Sequence, residues 1–219
     1  MKNLFVTFLI FTAVILSACG KVEDTPTAAL EEIQIALAER NSEQLSRRID
    51  LKNFFAQIYE VATVQLAENY DYYKEKYSRD PYFQHDAEFL KNYNEEFKAG
   101  NLKFIENVVM AYFAKLPEPK TPEENPEAYV ANEFEKIRRA VNAEIKSVAI
   151  DKNSAEMILN LNGDSTLIGQ FISDLDLKLG FTKDDNGNWH LKEIENLDVL
   201  TPILVDKAEI IRMNFLDEK

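Results

Sequence analysis

The chain has 219 residues, of which 46% are apolar and 29% charged, the composition of a globular protein long enough to bury a sizeable core without disulfides or a structural metal. Its 38 acidic residues outnumber 25 basic ones, for a formal charge of −13. That balance argues against a nucleic-acid partner, which requires clustered cations, and a single cysteine excludes a disulfide framework or a thiolate metal cluster.

The first twenty residues differ from the rest. Lys2 and Asn3 form a short basic start, and Leu4 to Leu16 is almost wholly apolar. As a helix this stretch spans about 20 Å, short of the roughly 30 Å hydrocarbon core, so it reads as the apolar region of a signal peptide rather than a membrane span. Ser17, Ala18, Cys19 and Gly20 follow. The run Leu16-Ser17-Ala18-Cys19 resembles the lipobox of bacterial lipoproteins in position, spacing and residue types. The resemblance implies cleavage between Ala18 and Cys19, a thioether-linked diacylglycerol on Cys19, and acylation of the new amino terminus. One acyl chain binds reversibly, whereas two or more, at ~0.8 kcal/mol per buried CH₂, hold a protein on a bilayer. The body is then expected on the extracytoplasmic face of a bacterial membrane. Lys2 is the only charged residue lost with the leader, so the mature charge is −14. Anionic lipid repels such a body, which leaves the anchor on Cys19 as its link to the membrane. Gly20, where an aspartate commonly marks inner-membrane retention, favours the outer membrane in a host that has one.

Residues 1–18 are thus read as leader, 19–25 as lipidated tether, 26–116 as a helical region, 117–126 as a proline-rich loop, and 127–219 as a helix, an antiparallel sheet and a terminal helix, packed with 26–116 as one domain. Thr25 is placed to cap a helix with Pro26 at its first position, and Leu30, Ile33 and Leu37 give its apolar stripe. Asn41 and Gln44 suggest a second helix start. After Asp50 a long helix is expected, with Phe55, Ile58, Ala62, Leu66 and Tyr70 in step. Tyr70, Tyr73 and Tyr77 share one helix face, which favours packing at the core edge over stacking on a ligand or carbohydrate. Asp80-Pro81 is expected to start another helix with Phe83, Ala87, Leu90, Tyr93 and Phe97 inward, and Gly100 to end it. Leu102, Ile105, Val109, Tyr112 and Leu116 mark one more. Pro117, Pro119, Pro122 and Pro126 rule out regular helix or central strand between them, and Asn125-Pro126 opens a helix with Val130, Phe134, Ile137 and Val141 inward.

From about Ile145 the apolar period changes from 3.6 to 2. Ser147–Asp151 reads as a strand. Ala155, Met157, Leu159 and Leu161 alternate with Glu156, Ile158 and Asn160, and Asn162-Gly163 signals a turn. Leu175, Leu177, Leu179 and Phe181 alternate with Asp174, Asp176, Lys178 and Gly180, the pattern of a strand with one wet face. Asp185-Asn186-Gly187-Asn188 is a hairpin turn, Trp189–Ile194 the returning strand, and Thr201-Pro202 the start of a terminal helix. That helix buries either Ile203, Lys207, Ile210 and Asn214 or Leu204, Ala208 and Ile211. Helices first and strands last make the fold class α+β.

Two stretches of the body, residues 28–55 and 188–200, are similar to uncharacterised bacterial envelope proteins with a cystatin-like cone, also called the nuclear-transport-factor-two-like fold. The likeness lies in the Asp50-Leu51 turn after a helix pair, in Trp189 on a late strand, and in the Asn196-Leu197 end. It implies a sheet with a concave side, and residues 56–142 add helices to that pattern. The fold itself predicts no activity.

Catalytic patterns are sparse. Lipidation consumes Cys19, and there is no G-x-S-x-G, no H-E-x-x-H and no glycine-rich phosphate loop. His85 and His190 are the two histidines; His85, between Gln84 and Asp86, is expected to face water. Asp184-Asp185-Asn186-Gly187-Asn188 invites a calcium reading, but its glycine is fourth where an EF-hand needs it sixth, and a type I′ turn explains the same residues. No cofactor or metal is expected. Asp174 and Asp176, two apart on one strand face, are the candidates for acid–base work with His190, provided a pocket shifts their pKa values. The leading expectation is a non-catalytic binding or interaction module for an envelope protein or small ligand. Its alternatives are a small-molecule enzyme with a pocket on the sheet and an envelope assembly factor.

Overall fold

The computed structural model describes residues 24–78 and 83–217, with only the backbone described at 167, 168 and 209–217. The leader, Cys19, Asp80-Pro81 and Tyr82 lie outside the described residues, as do the side chains of Ile210, Ile211 and Asn214. Six helices come first: α1 (Pro26–Glu39), α2 (Ser42–Ser46), α3 (Leu51–Glu68), α4 (Tyr70–Lys76), α5 (Ala87–Phe113) and α6 (Pro126–Ala140). Then follow β1 (Val141–Asp151), β2 (Ser154–Gly163), a short α7 (Leu167–Ile172), β3 (Leu175–Lys183), β4 (Trp189–Ile194) and α8 (Leu197–Asp217). The fold is α+β.

Helix starts follow local chemistry. Thr25, Asn41, Asp50, Asp86, Asn125 and Thr166 each accept a hydrogen bond from the amide three residues on, a cap that stabilises a helix by about 1 kcal/mol. Asp86, not the Asp80-Pro81 pair, caps α5. The segment 114–125 is irregular, as its prolines require.

Two helices depart from expectation in their buried faces or ends, and a third, α8, in its start. In α3 Phe54 is buried where Phe55 was expected, and Phe55 packs at the margin. Helix α5 does not end at Gly100 but runs straight through it to Phe113. Gly100 is exposed, has nothing within 4 Å of a would-be Cβ, and keeps an ordinary helical φ, so no left-handed cap forms. Ala87 and Phe97 lie on the outer side of α5. There His85, Phe89, Tyr93 and Phe97 form a ladder with ring centroids 4.0, 6.0 and 4.5 Å apart. Aromatic rings four residues apart cover one another and so partly hide their own apolar area. In α8 Pro202 sits inside the helix, which begins at Leu197. Leu204 and Val205 are buried and Ile203 is exposed, so the inward face is the one through Leu204 and Ala208.

The strands run in order β1-β2-β3-β4, all antiparallel. Period-2 alternation sends Ala155, Met157, Leu159 and Leu161 of β2 and Leu175, Leu177, Leu179 and Phe181 of β3 into one buried face. Helices α1, α3 and α6 pack over that face, and the main core takes residues from Ala29 to Leu204, drawing on both halves of the chain. A smaller core gathers Leu66, Tyr70, Tyr73, Tyr77, Phe83, Leu90 and Val205, so the tyrosine face is packing, as its spacing suggested. Gly163 is not a turn residue: it ends β2 opposite Val141. Helix α7 passes so close that a Cβ on Gly163 would overlap the Gly169 carbonyl. The β3–β4 turn also differs. Gly187 has φ +86°, while Asn186 is not left-handed, and the Gly187 N–H donates to the Asp184 carbonyl at 3.0 Å. This is a type I turn closed by a left-handed glycine rather than a type I′ turn.

Candidate functional site

The three candidate residues on the sheet do not converge. Asp174 is not on the strand face. It occupies the tight turn before β3 with φ +62°, and its N–H donates to the Leu161 carbonyl at 2.9 Å. Asp176 lies on the wet face, where its carboxylate accepts from Lys146 Nζ at 2.6 Å and Asn160 Nδ2 at 2.9 Å. The Lys146 hydrogen bond, helped by Asn160, holds this carboxyl below the usual aspartate range. His190 pairs across the sheet with Thr182, six residues along β3 from Asp176, or about 20 Å at ~3.3 Å per residue. Its Nε2 is 3.1 Å from Asp184 Oδ2. The Asp184 carboxylate also takes the N–H groups of Asn186 and Asn188, at 2.9 and 2.8 Å. The Asn188 amide leads the bonds that pull its pKa well below the aspartate range. The hairpin's acid therefore works on its own turn, and no group of three or more His, Cys, Asp or Glu suited to a metal occurs among the described residues.

A different set of carboxylates meets on the wet face. Gly180 lies opposite Glu156 on one side and Glu193 on the other, and the Glu195 carboxylate folds over it, where a Cβ would stand 2.8 Å from Glu195 Oε1. Together with Thr182 and Lys192 they line a shallow depression of about 420 Å³. Partial desolvation first, then the hydrogen bond that the Glu195 carboxyl donates to Glu156 and the Glu156 charge, push the Glu195 carboxyl above the usual range, against the pull of Lys178. Glu195 therefore gives up its proton less readily than a lone glutamate. The signal in the sequence was Gly180 inside a strand pattern, which marks a close approach; which acids approach it depends on the register.

The second surface is an edge. Strand β4 is bordered by the backbone of Ile49, which bridges Leu191, and Arg48 O accepts from the Leu191 N–H at 2.8 Å. The outer edge of β1 pairs with no strand among the described residues. Beside it runs a groove of about 290 Å³ between α1 and β1, lined by Leu30, Glu31, Gln34, Ala143, Glu144 and Ile145. Ile145 points to the core side, opposite Leu159, yet is 43% exposed because the helical layer stops short of it. Sequence reading missed this groove because α1 and β1 are about a hundred residues apart in the chain. No helix among the described residues is long and apolar enough to cross a membrane. Compared with protein families, curated proteins and solved structures, the chain matches none.

Proposed function

We propose that this chain is a lipid-anchored protein on the extracytoplasmic side of a bacterial envelope, attached through Cys19, and that it acts as a non-catalytic interaction module. The likeness of Leu16–Cys19 to a lipobox supports the anchor, and the likeness of residues 28–55 and 188–200 to cystatin-like envelope proteins fits the same placement. The observation that carries the interaction role is the open edge of β1 beside the α1 groove. An unpaired strand edge recognises an extended backbone through main-chain hydrogen bonds, and an adjacent apolar groove selects its alternate side chains. Leu30, Ala143 and Ile145 supply the apolar floor, and Glu31 and Glu144 an acidic rim. The occupant is an extended polypeptide segment of an envelope protein carrying an apolar residue next to a basic one, in keeping with a body of charge −14.

A second reading, a small-molecule enzyme, draws on the depression over Gly180, where the Glu195 carboxyl is pushed up beside Glu156. Three measurements test the anchor, the binding edge and the enzyme reading in turn. Intact mass of membrane-extracted protein is expected to show a chain beginning at Cys19 with added acyl mass, lost in Cys19→Ala. A photo-crosslinker placed at Ile145 in cells is expected to give a discrete protein adduct that Ala143→Lys abolishes, while one at Ser165 gives none. Absence of the acyl mass overturns the anchor. Adducts equal from both positions, or none, overturn the edge as the binding face. A turnover that Glu195→Gln removes puts the enzyme reading first.

A further inference from the structure

We infer that the end of the sheet carrying the Asp151–Ser154 and Asp184–Asn188 turns is the surface that meets the lipid headgroups. The inference rests on the anchoring of Cys19 proposed above and adds which way the body faces.

Asp24, the first described residue, is pinned to the body. Its Oδ2 accepts the Trp189 N–H at 2.8 Å, and its Oδ1 stands 2.8 Å from Arg48 Nη2. Arg48 is itself locked: its Nε and Nη2 donate to the two Glu32 oxygens at 2.7 and 2.9 Å, and its Nη1 to the Trp189 carbonyl at 3.1 Å. Thr25 then caps α1 at once. The chain therefore enters the fold at a fixed point beside the first residue of β4. Five peptide steps separate Cys19 from Asp24, and even fully extended they reach at most about 18 Å at ~3.6 Å each. Acyl chains on Cys19 keep Asp24 within that distance of the headgroups.

Trp189 pairs with Lys183, and the Lys183 N–H donates to the Asn153 carbonyl at 2.8 Å, so both turns lie at this end of the sheet. The opposite end, with Ser165 and α7, is a full strand away. The nine residues of β3 span roughly 26–30 Å at ~3.3 Å per residue. The tether is shorter than the sheet, so the body cannot turn over and present its α7 end to the bilayer. The chemistry of the near end agrees. Val148 and Ile150 face the core side of β1 but lie beyond the helices, 36% and 57% exposed. Lys152 and Lys183 stand at the same end. Exposed apolar side chains suit the headgroup boundary, and Asp151, Asp184 and Asp185 of the same two turns favour zwitterionic over anionic lipid there.

The test uses the full lipidated protein, in which the thioether leaves no native thiol free. Asn186→Cys and Ser165→Cys, both at exposed positions, carry a donor dye in vesicles of zwitterionic phospholipid containing a headgroup-labelled acceptor. Transfer at position 186 is expected to exceed that at 165 at least twofold. Protein that floats with the vesicles but transfers equally from both positions, or more from 165, overturns the orientation and leaves the anchor standing. Protein that carries no acyl mass and does not float overturns the anchor, and the orientation with it.

Discussion

Tyr73 is fully buried in the smaller core, and its hydroxyl has no hydrogen-bond partner among the described residues. Burial pushes its phenol well above the usual tyrosine range, while Tyr77 stacks on its ring and Phe83 lies tilted against it. Removing an unpaired buried hydroxyl costs no bond, so Tyr73→Phe is expected to stabilise the protein by about 1 kcal/mol, read as a higher urea midpoint at an unchanged slope. Gly163 is the opposite case. Its missing Cβ is what lets α7 pass, so Gly163→Ala forces backbone against backbone and is expected to cost about 3 kcal/mol, the top of the usual range for overpacking. Thermal unfolding of this variant against Gly100→Ala, the same change in open space, isolates the steric effect from the loss of glycine freedom.

Gly100 belongs to the scale of the element. It sits in the middle of the 27-residue α5, exposed and untouched, so Gly100→Ala is expected to add 0.5–1 kcal/mol, about the difference in helix propensity. Calorimetry would show the rise. The failure to foresee this helix has a plain cause. A glycine after an apolar stripe ends a helix only if the chain then turns left-handed, and here the stripe resumes through Ile105, Val108 and Tyr112. Helix starts were legible because a cap is decided within four residues, as at Thr25, Asn41 and Asn125. The start of α8 was not. Pro202 is tolerated inside because the only bond it removes is one to the Asp198 carbonyl, and Asn196 secures the start from afar, its side chain accepting from Lys178 N at 3.0 Å and donating to the Asp176 carbonyl at 2.8 Å.

At the scale of the molecule one buried carboxylate ties three helices together. Glu135 of α6 is 7% exposed. It accepts two hydrogen bonds from Arg138 at 2.8 Å and one from Arg139 at 2.7 Å. The Tyr112 hydroxyl of α5 lies 3.0 Å from it and 2.7 Å from the Leu37 carbonyl of α1, and Arg40 closes the group at 3.8 Å. Burial is the largest single influence and raises its pKa, but the two arginines and Tyr112 together outweigh it and hold the carboxyl at about 2 against 4.5. A lowered carboxyl pKa stabilises the fold fully above the unfolded value and loses that contribution as pH falls toward the folded one. The network is therefore expected to weaken between pH 4.5 and about 2, by on the order of 3 kcal/mol in all. Glu135→Gln is expected to cost about 3 kcal/mol at neutral pH, because it leaves the half-buried Arg138 and Arg40 without their counter-charge, and to flatten the acid limb of stability against pH. Urea unfolding of both proteins from pH 7 to 3 checks the sign.

The amino-acid sequence by itself determined what depends on near neighbours: the α+β order of elements, the helix caps, the period-2 strands, the tyrosine face and the leader's likeness to a lipobox. Those are set by spacing over a few residues, where sterics and a single hydrogen bond decide. The tertiary structure alone decided that Asp174 leaves the strand face, that Asp176 and His190 stand a strand's length apart, that Glu156, Glu193 and Glu195 gather over Gly180, and that β1 keeps an open edge beside α1. Register and layer coverage fix these, and both arise from packing between segments far apart in the chain, whose energies no local pattern records.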